Sequence, residues 1–436
     1  MKLLPSARPR GGCSASRRPT SSGRTSSSIS CRASNLDLLR AVGEQFNREA
    51  TWVRDLIVPL APWVEDDLSA SSNESEAEIQ TRSPVDLARD DPRSKFAIVD
   101  GVQMHYQIIE SASMPRKQDP DAPVIVMLHG FNASLHSFRA NVQALADRTG
   151  LKVISFDRPP FGLSGRPLKW GPGEELAFDP YADSGSRLAM KLVREALGFA
   201  RNKLVLVGHS AGSLTALLMH EMSPEDIAGL VFVAPALPAT PEHSFQRQAT
   251  FGTQMRIVIG RAIMSNDETG VRYVRRMIQK QRKDLLENGL DYKPHPSTSS
   301  TYQSMESGTE DEDGNTMGGM DVMEAIAERE AIEGYLRPLE SPDWDKGALL
   351  NLRSFWLPQQ YDYSILGRDL PVQVVVGATD RLTPAAKALF SILQGQKDNV
   401  ELVEFEGCGH AVCEIVPGEF NDAVVDFIDR QVMRIR

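Results

Sequence analysis

From Lys95 onward the chain repeats one motif: a short apolar run, a polar break, then a longer stretch with apolar positions on one face. Phe96-Ala97-Ile98-Val99, then Asp100-Gly101, then Val102 to Ile109 predicts a β-hairpin, because Asp-Gly supplies the positive φ angles of a tight turn. Residues 111–122 read as a polar loop. Val124–Leu128, Lys152–Phe156, Leu204–Val207, Gly229–Val233, Val372–Val376 and Val400–Phe405 then predict strands, and they lack the alternation of a half-exposed sheet. Helical spacing separates them, over Ser137–Asp147, Ser184–Leu197, Ser213–Met219, Pro384–Leu393 and Pro417–Val432. Strands without alternation, interleaved with helices, predict a mostly parallel sheet covered on both faces, with the leading hairpin at one edge.

The strand pattern stops between Ala236 and about Gly347. Met255, Val258, Ile259, Ala262 and Ile263 form one helical stripe, Val274, Met277 and Ile278 another, and Ala325–Leu336 predicts a third helix. This block reads as a helical lid inserted between two strands. Within it, residues 294–320 are rich in Ser, Thr and Gly and carry Glu310-Asp311-Glu312-Asp313, so no packed element is expected there. Ahead of the hairpin, Leu39, Val42, Phe46, Ala50, Val53 and Ile57 lie near a 3.6-residue period and predict an amphipathic helix. Residues 65–94 are acidic and Ser-rich and read as a flexible linker. The expected organisation is a leader at 1–35, helix and linker at 36–94, core at 95–236, lid at 237–346 and core again at 347–436.

Composition adjusts this picture at the amino terminus. Residues 1–35 hold six Arg, one Lys and ten Ser but no Asp or Glu. That is the composition of an organellar transit peptide, and the Ser dominance favours a plastid over a mitochondrion. The whole chain has a net charge of −10, which argues against a general nucleic-acid partner. With Cys13 and Cys31 in the leader, Cys408 and Cys413 are left, too few for a disulfide framework. Between Arg247 and Lys283 nine Lys or Arg face only Asp267 and Glu268. This basic stretch is a solvated helix face, a contact for the acidic cluster at 310–313, or a contact for anionic lipid headgroups.

The chemistry centres on Gly208-His209-Ser210-Ala211-Gly212, set between an apolar strand and a helix. In such a turn the glycines let strand and helix approach, and the serine hydroxyl is lifted to the carboxyl edge of the sheet. A serine needs a base, and the base needs an orienting acid. Downstream, strand Val372–Val376 runs into Gly377-Ala378-Thr379-Asp380, and strand Val400–Phe405 into Glu406-Gly407-Cys408-Gly409-His410. Asp380 and His410 follow the serine in the order Ser, acid, His, each just past a strand's carboxyl end. His209 reads as an elbow or packing residue, and His129 as structural. Oxyanion donors are expected from the backbone N–H of Ala211 and, in the loop His129-Gly130-Phe131-Asn132, from that of Phe131. Asn132 either assists with its side chain or merely caps the loop. No metal or cofactor is called for.

With His129-Gly130-Phe131, Asp157-Arg158-Pro159-Pro160-Phe161-Gly162-Leu163-Ser164, Gly208 to Gly212, Gly377 to Asp380 and Gly409-His410 in place, the chain resembles the α/β-hydrolase fold superfamily. It is most similar to its lidded group of esterases, lipases, carbon–carbon bond hydrolases and epoxide hydrolases. The resemblance implies a central sheet with helices on both faces, and a triad of Ser210, His410 and Asp380. It also implies that the Asp157–Ser164 segment is a fold marker, with Asp157 and Arg158 structural and Pro160 standing where the group usually has glycine. Epoxide hydrolases and dehalogenases of this group use an aspartate nucleophile, so Ser210 argues against both. The leading expectation is hydrolysis of a small hydrophobic carboxylic ester. A carbon–carbon hydrolase, an acyltransferase, and a ligand receptor with reduced turnover remain open, as do the acyl group and the oligomeric state.

Overall fold

The computed structural model describes residues 81–112, 121–166, 182–237, 319–355 and 362–433, with Arg275 and Glu287. All of them fall in one compact unit, Glu76–Arg436. The leader at 1–35, the helix at 36–60, and the two lid stripes at Met255–Ile263 and Val274–Ile278 lie outside the described residues, apart from Arg275.

Among the described residues eight strands form one sheet: β1 (Lys95–Val99), β2 (Val102–Ile109), β3 (Val124–Leu128), β4 (Lys152–Phe156), β5 (Leu204–His209), β6 (Ile227–Val233), β7 (Val372–Gly377) and β8 (Val400–Phe405). Their order is β1-β2-β4-β3-β5-β6-β7-β8. β2 is antiparallel to β1 and β4, and every later pairing is parallel. The expected hairpin and parallel sheet are both present. The helices are α1 (Pro84–Leu87), α2 (Val142–Thr149), α3 (Ala182–Lys191), α4 (Gly212–Met222), α5 (Gly319–Leu336), α6 (Trp344–Phe355), α7 (Thr383–Gln394), α8 (Val412–Ile415) and α9 (Pro417–Phe427).

Two apolar layers explain why the central strands do not alternate. Val126, Leu128, Leu206, Phe232 and Val374 point to one face and pack with Leu188 of α3, Leu217 of α4 and Leu389 of α7. Ile125, Met127, Val205, Val207 and Val231 point to the other and pack with Leu145 of α2 and Phe420 and Val424 of α9. A strand buried on both faces needs apolar residues at odd and even positions alike. The edge strand β1, by contrast, leaves Ile98 exposed.

Three regions depart from expectation. Residues 81–94 do not behave as a linker. Ser83 accepts a bond from the Asp86 N–H and so caps α1, while Leu87 and Ala88 are buried with Leu163. The helix expected over Ser137–Asp147 is split into a 3-10 turn, Leu135–Phe138, and α2. At the break, the buried Asn141 amide donates to the Cys413 carbonyl and the Asn421 side chain. α5 begins at Gly319, inside the segment 294–320 that was expected to be unstructured, and α6 runs across the expected lid boundary at 346.

Candidate active site

The parallel strands β5, β7 and β8 bring three loops to the same edge of the sheet. β5 ends at His209, and α4 begins only three residues later at Gly212. Ser210 lies between them with φ of 53°, in the left-handed region that is unusual for a residue with a side chain. Its backbone is held on both sides: Ser210 N–H donates to Val233 O at 2.8 Å and Ala236 N–H to Ser210 O at 3.1 Å. The close approach leaves no room at the flanking glycines. A Cβ on Gly208 would lie 2.6 Å from Gly212 O, and one on Gly212 would lie 2.0 Å from Leu128 O.

His410 and Asp380 meet. His410 Nδ1 is 2.8 Å from Asp380 Oδ2, and the other carboxylate oxygen accepts from Leu382 N–H at 3.1 Å. The Asp380 carboxylate is 6% exposed and the imidazole 42%. Burial pushes Asp380 up, but the hydrogen bonds from His410 and Leu382 outweigh it and hold the carboxyl below its usual range. An ionised acid on Nδ1 fixes the tautomer that leaves Nε2 ready to accept a proton.

His209 links this pair to the serine. Its Nε2 donates to the His410 carbonyl at 3.0 Å, and the two rings lie 5.0 Å apart. Burial, with the neighbouring His410, lowers its pKa to about 4. It is therefore a neutral brace between the elbow and the histidine loop. The loop expected to supply an oxyanion donor adjoins the expected nucleophile: a Cβ on Gly130 would lie 3.1 Å from the Ser210 Cβ. Phe131 follows and stacks edge-on against Phe161 at 5.5 Å. Asn132 has φ of 49°. Ala211 is the N-cap of α4, whose first N–H groups have no partner within the helix.

His129 is fully buried, and burial with the Arg158 charge lowers its pKa to about 3. Its Nε2 accepts from Arg158 N–H at 2.8 Å, so Nδ1 carries the proton and donates to Gly130 O at 2.8 Å. The Asp157 carboxylate is a hub under the loop. It accepts from His105 Nδ1 at 2.7 Å, Leu135 N–H at 2.7 Å and Leu163 N–H at 2.6 Å. Ser94 Oγ stands 2.9 Å from His105 Nε2, so serine, histidine and aspartate form a second chain with the outline of a triad. It is closed: the His105 side chain is 4% exposed, Asp157 is already saturated by backbone donors, and Ser94 sits on a plain turn before β1.

A second cluster was not anticipated. Arg139 Nη1 donates to Glu414 Oε2 at 2.6 Å, and the Tyr335 hydroxyl of α5 donates to the same oxygen. His136, half-buried and with its pKa held well below the ordinary value by desolvation and then the Arg139 charge, donates to Ala331 O of α5 at 3.2 Å. α5 is thus fastened to the loop after β3 and to α8, the helix directly after His410. No local sequence pattern marks pairs separated by 79 to 275 positions. From the basic stretch, Arg275 is described, and its Nε donates to Asp345 at 2.5 Å.

The sheet order, the strand-turn-helix at Ser210 and the flanking helices define an α/β-hydrolase fold. A family profile described as alpha/beta hydrolase fold matches residues 123–268. A Mycoplasma genitalium protein named as an esterase/lipase is 22% identical over 307 residues, covering 70% of this chain and 89% of that protein. A rice protein named as a 1-acylglycerol-3-phosphate O-acyltransferase is 29% identical over 158 residues, 36% of each chain, so the match spans about a third of that relative. Among solved structures, the epoxide hydrolase CorEH aligns with a TM-score of 0.51 and 18% identity, covering 77% of this chain and 98% of that one. The three names describe three reactions on one fold, so the chemistry of this chain has to be argued from its own residues.

Proposed function

We propose that the protein is a serine hydrolase that cleaves carboxylic esters through an acyl-enzyme, with Ser210 as nucleophile, His410 as base and Asp380 as its orienting acid. One observation carries the reading: the Asp380–His410 pair is tied by His209 to the strained turn that presents Ser210. Ser210 Oγ adds to the ester carbonyl as its proton passes to His410 Nε2. The oxyanion is met by the N–H groups of Ala211 and Phe131. Collapse breaks the bond to the alkoxy group, which leaves with the proton from His410. Water then attacks the acyl-enzyme with His410 again as base, and releases the acid and Ser210.

The esterase/lipase name of the Mycoplasma relative supports an ester substrate, and the apolar stripes of the expected lid support a hydrophobic acyl group. The epoxide hydrolase likeness carries less weight, because the group uses an aspartate where this chain has Ser210. Acyl transfer to an alcohol is the second reading, favoured by the name of the rice relative, and it differs only in what attacks the acyl-enzyme.

The test is hydrolysis of p-nitrophenyl esters of graded acyl length by the wild type beside Ser210→Ala. Activity with a chain-length optimum that vanishes in the variant supports the reading, and so does labelling of the wild type alone by a fluorophosphonate. An inactive, unlabelled wild type overturns it. Product analysis with added lysophosphatidic acid or glycerol separates hydrolysis from transfer.

A further inference from the structure

We infer that Arg158 is a positioning residue for the oxyanion hole, acting through the Gly130 carbonyl to set the direction of the Phe131 N–H. The inference rests on the ester-hydrolase reading above and adds a role that the Asp157–Ser164 segment did not have there.

The Arg158 guanidinium is buried, and among the described residues its bonds go to neutral oxygens. Nε donates to His129 O at 2.7 Å, Nη2 to Gly130 O at 3.0 Å and Nη1 to Thr215 Oγ1 at 3.0 Å. The adjacent Asp157 carboxylate is committed instead to His105, Leu135 and Leu163. Burial brings the guanidinium down only to about 10, so it stays charged at neutral pH. Burying a charge with no counter-ion among the described residues is costly even when it is well hydrogen-bonded, and an apolar side chain of similar shape would fill the space without that cost. A purely packing role therefore does not account for this residue.

Peptide geometry supplies the missing role. Gly130 O receives two donors, Arg158 Nη2 and His129 Nδ1. The Gly130–Phe131 peptide is trans, since among the described residues only Pro159–Pro160 is cis. In a planar trans peptide the C=O and N–H point in opposite directions. Pinning the oxygen thus fixes the Phe131 N–H, directed away from Arg158 and His129. A charged donor on the oxygen also polarises the amide and strengthens its N–H as a donor. The third bond reaches Thr215 on α4, the helix headed by Ala211. One rigid planar group thereby sets the position of the Phe131 loop relative to the helix that carries the other donor. Such fixed dipoles, aimed in advance of the reaction, are what lowers the barrier of acyl transfer.

The experiment compares the best p-nitrophenyl ester with its thionoester, in which C=S replaces C=O. Sulfur is longer and a weaker acceptor, so the ester-to-thionoester ratio of kcat/KM reports oxyanion-hole alignment and is insensitive to a general loss of active protein. Arg158→Gln is expected to lower kcat for the ester by about 100-fold with KM within about twofold, the scale of losing one oxyanion donor, and to reduce the ratio by about 10-fold. Arg158→Lys keeps the charge and one bond, and should fall between. Thr215→Val removes one of the three anchors at nearly constant volume, and should lower the ratio by about 3-fold, because the two carbonyl bonds of the guanidinium remain. An unchanged ratio in folded Arg158→Gln overturns the inference even if the rate falls. If Arg158→Gln does not fold, the Thr215→Val ratio decides: lowered sustains the inference, unchanged overturns it. A wild type inactive on every ester overturns the hydrolase reading and this inference together, whereas an active wild type with unresponsive ratios overturns this inference alone.

Discussion

Gly212 leaves no space for a side chain, because a methyl group there would sit 2.0 Å from the Leu128 carbonyl. Gly212→Ala is therefore expected to force β3 and α4 apart and cost about 3 kcal/mol or more, read as a lowered urea midpoint. Asp380 makes a different kind of contribution. Asp380→Asn keeps the shape but offers His410 an amide in place of an ionised acceptor. It should lower kcat by roughly 10³ to 10⁴-fold with little change in stability, measured on the same ester series. Both residues were legible in the sequence, as was His410, because each belongs to a short motif at the end of an apolar run. His209 was legible as an elbow residue but not as a brace, since its partner is the carbonyl of a residue 201 positions away. The bonds of Arg158 were hidden for the same reason: they reach back 28 and 29 positions and forward 57.

At the scale of elements, the contact between α5 and the core turns on Glu414, whose side chain is 4% exposed. Glu414→Gln takes the charge out of the ion pair with Arg139 at a buried oxygen, and is expected to cost about 3 kcal/mol. Tyr335→Phe removes only one hydrogen bond to the same oxygen and should cost about 1 kcal/mol. Limited proteolysis between α5 and α6, beside urea melts, would show whether both losses loosen α5 before the sheet. The central strands could be read from sequence because two-sided burial suppresses alternation, and the hairpin because Asp-Gly marks its turn. Helix α6 was missed: the interval between Leu336 and β7 carried no pattern strong enough to separate helix from connection. The split of the helix expected over Ser137–Asp147 was equally unreadable, because it depends on Asn141 finding Cys413 and Asn421.

For the whole molecule, buried neutral imidazoles set the response to acid. His129 and His209 have folded pKa values of about 3 and about 4 against 6.5 in an ordinary setting. His136 lies well below 6.5 as well, because of burial and then the Arg139 charge. A lowered folded pKa means that the unfolded chain takes up protons the fold refuses. The stabilisation is complete above about pH 6.5 and drains away as the pH falls toward the folded values, by about 1.4 kcal/mol per pH unit for each histidine. The carboxyls of Asp157 and Asp380, held below 3.8, lose theirs only at still lower pH. Denaturant melts from pH 8 to 4 should therefore show the steep fall starting below about 6.5, and His209→Asn should make it shallower by about one histidine's worth. A further consequence follows from the turn ahead of β1. The apolar pattern invites anyone trimming this chain to start it at Lys95, yet three residues just upstream tie the preceding segment to the fold. Arg82 N–H donates to Glu340 O at 2.8 Å, Leu87 covers Leu163, and Ser94 closes the imidazole under Asp157. Cut there, the molecule would keep every residue of the proposed triad and lose the clasp beneath the loop that carries Phe131.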